Sequence, residues 1–89
     1  MKLETIEKAN KLIKQLEVLK KRLETVNEIL KRTSKYQNED VRMRVNIGAY
    51  NSIDISFDSQ TIIQSFTLES ALVQRKIDQK QKELDSLTD

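Results

Sequence analysis

The stretch VRMRVNIGAYNSIDISFD, residues 41–58, decides the fold. Val41, Met43, Val45 and Ile47 alternate with Arg42, Arg44 and Asn46. After Gly48-Ala49-Tyr50-Asn51 the alternation resumes, with Ile53, Ile55 and Phe57 against Ser52, Asp54, Ser56 and Asp58. Successive strand residues point to opposite sides, so the pattern predicts two half-buried strands, 41–47 and 52–57, joined by a tight loop. Their register follows from the requirement that the two apolar faces coincide. A three-residue loop, Gly48 to Tyr50, sets Val45 against Ile53 and Arg44 against Asp54, whereas a five-residue loop sets Val45 against Ile55 and Asn46 against Asp54. A four-residue loop would oppose Ile47 and Ser52, and is rejected. The shorter loop is preferred because it creates an Arg44–Asp54 cross-strand pair, a contribution of about 0.2–1 kcal/mol. Gly48, the single glycine, suits the positive φ that a turn can demand.

Outward from this hairpin the periodicity becomes helical. Upstream, Leu12, Leu16, Leu19, Leu23, Val26 and Leu30 follow at intervals of 4, 3, 4, 3 and 4, the spacing of a supercoiled seam. A helix over 2–34 is expected, roughly 50 Å long at 1.5 Å per residue. It should fray in SKYQN, residues 34–38, whose polar groups compete for the helical backbone. Downstream, a helix over 59–88 is expected, capped by Asp58 or Ser59. Its seam runs Ile63, Phe66, Ser70, Val73, Ile77, Lys80, Leu84 and Leu87. Leu68 and Leu72 point away from that seam and give the helix a second apolar face. A competing reading begins this helix at Thr67 and makes TIIQSF, residues 61–66, a third strand. The fit of Ile63 and Phe66 to the heptad argues against it.

The predicted fold is therefore α+β: long helix, β-hairpin, long helix, in one domain over 1–89, with the helices as an antiparallel coiled-coil pair. A lone two-stranded hairpin is marginal in water, and this one has an apolar face of seven residues to cover. A homo-oligomer is the expected solution. Hydrophobic residues are 37% of the chain and charged residues 34%, with no proline, which is the composition of long helices rather than of disorder.

Several function classes are disfavoured. There is no cysteine for disulfides or thiolate metal sites, and no histidine to act as general base or metal ligand. Glycine-rich phosphate loops and nucleophile motifs are absent, so neither catalysis nor a cofactor is expected. Most carboxylates sit beside basic residues at helical spacing, as in Glu4–Lys8, Glu17–Lys21 and Glu28–Arg32, and read as a solvated face. Asp54 and Asp58 could offer oxygen ligands to a divalent cation, but nothing completes a coordination shell. The N-terminus lacks the apolar core of a signal peptide and no run approaches a membrane span, so a cytoplasmic location is expected.

Charge is uneven. Residues 1–35 carry ten Lys/Arg and five Glu, residues 36–58 two arginines and four acids, and residues 59–89 four bases and five acids. The first helix is the basic element, with Lys20, Lys21 and Arg22 as a dense point. On the hairpin, Arg42 and Arg44 share a strand face near Tyr50, an arrangement able to hold a phosphate or stack on a base. Both sets also read as ordinary polar surface: a helix spreads consecutive charges around several faces, and Asp54 or Asp58 can neutralise the arginines.

The residues forming interaction surfaces are more numerous: Leu12, Leu16, Leu19, Leu23, Val26 and Leu30 on the first helix, and Ile63, Phe66, Leu68, Leu72, Val73, Ile77 and Leu84 on the second. They favour a non-catalytic, homo-oligomeric coiled-coil module that binds another protein. The alternative is an oligomeric binder of a phosphate-containing ligand, nucleotide or nucleic acid, through the arginine face. A β-hairpin between two antiparallel coiled-coil helices resembles the layout of β-type prefoldin subunits, whose hairpins assemble into a shared barrel. The resemblance spans nearly the whole chain as architecture and implies assembly through the hairpin. The small size and the Lys, Ile, Asn and Ser bias are also similar to phage or mobile-element proteins of AT-rich genomes.

Overall fold

The computed structural model describes residues 2–36 and 39–87. Helix α1 spans Leu3–Thr33 and runs into a 3-10 turn at Ser34–Tyr36; strands β1 and β2 span Asp40–Ile47 and Asn51–Asp58; helix α2 spans Ser59–Asp85. This is the helix–hairpin–helix order expected, with TIIQSF helical rather than a third strand. The element ends shift slightly. Helix α1 stops one residue early, where the Ser34 hydroxyl donates to the Lys31 carbonyl at 2.8 Å and the backbone tightens. Helix α2 stops at Asp85 instead of 88, as the Ser86 hydroxyl donates to the Glu83 carbonyl at 2.9 Å. Asn38 and Thr88, which fall within the expected fraying segment and second helix, lie outside the described residues. Both strands gain residues, because Asp40 and Asp58 still pair across the open end and Ile47 and Asn51 across the loop end.

The hairpin has the three-residue loop. Val45 opposes Ile53 and Arg44 opposes Asp54, and the Arg44 Nε donates to the Asp54 Oδ1 at 3.0 Å. Gly48 opens the turn at φ 74°, a left-handed conformation that a Cβ would strain. At the other end Asp58 caps α2: its carboxylate accepts from the Gln60 N–H at 3.1 Å.

The core is the seam between the helices. Leu16, Val73 and Ile77 are buried together, with Leu19, Leu23 and Leu84 packed against them. Leu12 and Val26 are buried further along α1. Thr33 continues the series at one more interval of three and is 4% exposed. Among the described residues two polar contacts cross between the helices: the Ser70 hydroxyl lies 3.1 Å from the Asn27 Oδ1, and the Arg22 Nη2 lies 2.6 Å from the Glu69 Oε1. Ser70, a polar interruption in the seam, thus has a partner on α1 that holds the helices in register.

Ile62 is 2% exposed although it precedes the heptad position occupied by Ile63. Beside it, Met43 and Phe57 of the hairpin line, with Ile62 and Phe66, a small depression of about 160 Å³. The hairpin base therefore covers the first turns of α2, and the core turns a corner. The molecule measures 54 × 30 × 14 Å. Its long dimension barely exceeds the roughly 46 Å of α1, so the hairpin leaves the helix pair at an angle instead of prolonging it.

Candidate interaction surfaces

Exposure on the apolar side of the hairpin rises from base to tip. Val41, Met43 and Phe57 are half-buried, whereas Ile55 is 39%, Val45 44%, Ile47 53% and Ile53 54% exposed. Alternation put these residues on one face, and because the hairpin leaves the helix pair at an angle, α2 lies beside only the end nearest its own start. Four branched aliphatics on one side of a two-stranded sheet remain in contact with solvent. Leu68 and Leu72 form another exposed patch. They follow Thr61 and Ser65 at steps of three and four, on the flank of α2 that the hairpin base overlies.

The other interface candidates divide by depth. Leu12, Leu16, Val26, Val73 and Ile77 are buried, while Leu19, Leu23, Leu30, Ile63, Phe66 and Leu84 are half-buried, all within or beside the intramolecular seam. Among the interface residues singled out from sequence, only Leu68 and Leu72 are exposed.

The phosphate-binding candidates are not gathered. Arg44 is engaged with Asp54, both side chains being largely solvated. Arg22 is engaged with Glu69 and lies roughly 16 Å from the Thr33 end of α1, away from the hairpin. Lys20 and Lys21 are exposed in the same stretch, and Tyr50 is 99% exposed at the loop. Arg42 stands opposite Ser56 on the polar face. Asp54 and Asp58, the candidate cation ligands, serve as ion-pair partner and helix cap.

Among the described residues, the carboxyl held away from its ordinary range is that of Glu28 on α1. The Arg32 guanidinium, 2.9 Å from the Glu28 carboxylate, holds that carboxyl below its ordinary range, first through the hydrogen bond and then through its charge. Among the described residues no helix is long and apolar enough to cross a membrane.

Sequence reasoning missed Ile62, Asn27 and Glu69. Ile62 carried a signal in the Ile62-Ile63 doublet, since two adjacent branched residues can serve a seam and a neighbouring layer. Asn27 and Glu69 carried none, because their roles depend on how the two helices are set against each other. No family model, curated protein or solved structure matches the chain.

Proposed function

We propose that this chain is a non-catalytic, homo-oligomeric coiled-coil module that assembles through its hairpin and binds another protein. The observation that carries the reading is the open apolar face formed by Val45, Ile47, Ile53 and Ile55. Areas support it. The chain exposes 7279 Å², roughly 1,900 Å² more than a compact monomer of 10.4 kDa. Its radius of gyration is 17.6 Å, against about 12 Å for a compact domain of this length. A stable interface takes about 800 Å² from each partner, so the excess is ample for one copy-to-copy contact and a further partner. Two such hairpins packed face to face, about 10 Å apart, would cover their aliphatic residues as a small sandwich.

Molar mass by light scattering tests the reading. The wild type is expected as an oligomer at both low and high salt, because the contact is apolar. Ile53→Asp with Ile55→Asp is expected to give monomers that keep their helical circular dichroism. A wild type that is monomeric throughout would sink the assembly reading. The phosphate-ligand alternative has less support, since Arg44 and Arg22 each already hold a carboxylate.

A further inference from the structure

One flank of the helix pair, at the end away from the hairpin, combines features that the seam does not require. On α1, Lys8, Lys11, Lys14 and Val18 succeed one another at steps of three, three and four, and so follow one side of the helix. The antiparallel partner brings Lys76 and Lys80 opposite them. A groove of about 450 Å³ runs between Lys14 and Val18 on one side and Lys76 and Lys80 on the other. It adjoins a second, of about 350 Å³, where Lys8 and Lys11 face Lys80 and Glu83. Their combined length is roughly 15 Å, or three turns of a helix. The floor is apolar: Leu12 and Leu19 lie at the bottom and Val18 is 67% exposed. The rim has five lysines and one glutamate.

Lys80 sharpens the point. It occupies a seam position where its neighbours in the series are Ile77 and Leu84, and it is half-buried. Its ammonium meets Glu83 at 3.9 Å, the edge of an ion pair. A lysine is costly in a seam, and here its head emerges on the groove side with one distant carboxylate beside it.

We propose that this groove takes an acidic amphipathic helix of a partner protein: an apolar stripe on the floor, with Glu or Asp side chains meeting the lysines along both rims. The inference rests on reading the chain as a protein-binding module, and it names the partner's chemistry and place. Charge complementarity sets its sign and would speed encounter, while the apolar floor supplies the anchor. A nucleic-acid backbone would satisfy the lysines but leave the floor in contact with water, so the floor selects the protein helix. Neither helix of a second copy is acidic over its length, since α1 carries eight Lys/Arg against five Glu and α2 four against four.

The test titrates the full chain with a synthetic peptide of about 14 residues, leucines at helical spacing and glutamates elsewhere, read by fluorescence anisotropy. A peptide with lysines for the glutamates and a single-stranded oligothymidylate serve as comparisons. The acidic peptide is expected to bind, the lysine peptide to fail, and Lys14→Glu with Lys76→Glu to weaken binding by at least about tenfold. Val18→Asn should also weaken it, whereas Lys31→Glu with Lys35→Glu should leave it within about twofold. Helical circular dichroism keeps the comparison among folded variants. Equal loss in both charge-reversed pairs, tighter binding of the oligothymidylate, or no binding of the acidic peptide would overturn the proposal. A change in molar mass on reversing Lys14 and Lys76 would overturn it too, making the groove a contact between copies. An assembled wild type that ignores the peptide defeats this inference alone, and a monomeric one that binds it defeats only the assembly reading.

Discussion

The helix pair and the hairpin are built from equally regular apolar patterns, yet one consumes its pattern and the other displays it. Along α1 and α2 each seam residue has a counterpart in the same chain, and Leu16, Val73 and Ile77 end up buried. Along the hairpin the pattern runs on beyond the reach of α2, and exposure climbs toward the tip. The difference is geometric. Two antiparallel helices of similar length cover each other end to end, whereas a two-stranded sheet leaving at an angle meets a helix only at its base. Stability should therefore reside in the helix pair, and the hairpin is where the proposed assembly would form.

Substitutions can break or sharpen that contrast. The largest effect is expected in the seam: Leu16→Ala should cost about 2–5 kcal/mol in chemical denaturation, with a cavity left beside Val73 and Ile77. A loss under 1 kcal/mol would mean that the seam is not where this chain keeps its stability. Asp58→Ala, at the junction between the regions, should cost about 1 kcal/mol by removing the cap on the Gln60 N–H. Within the hairpin, a double-mutant cycle on Arg44 and Asp54 should return about 0.2–1 kcal/mol, as expected for a solvated cross-strand pair. A coupling near zero would deprive the three-residue loop of its electrostatic support.

The smallest effect concerns Glu28. Its carboxyl is depressed in the folded chain by Arg32, so the pair's contribution is present above the ordinary carboxylate range. It is lost as pH falls through the depressed value. Arg32→Gln should flatten that part of the pH–stability curve. An unchanged curve would leave Glu28 out of the acid response.

Much of this was legible in the sequence, and the reasons are specific. Matching the apolar faces narrowed the hairpin's loop to three or five residues, since a one-residue slip would invert both faces, and the Arg44–Asp54 pair tipped the choice to the three that the structure has. The start of α2 followed from Asp58 standing ahead of Ile63 and Phe66. Ile62 was hidden because the seam was assigned to its neighbour Ile63, while the structure buries Ile62 itself to 2% exposure. The functional surfaces were legible only in part. Leu68 and Leu72 stood out as off-seam, but Lys8, Lys11 and Lys14 read as ordinary solvated charge until α2 set Lys76 and Lys80 across from them.

Among the described residues the sheet has two strands, β1 and β2, and neither is an interior strand. Each strand presents one row of backbone donors and acceptors to its neighbour and another row outward. Both strands, Asp40–Ile47 and Asn51–Asp58, are thus edge strands. The charges on the polar face acquire a second meaning in that light. Arg44 and Asp54 pair within one chain, and with Arg42 and Asp58 they would also act as gatekeepers, because an added strand would have to bring the opposite charges in the right order. Neutralising Arg42 alone, whose cross-strand partner is the uncharged Ser56, would remove one such barrier to strand addition.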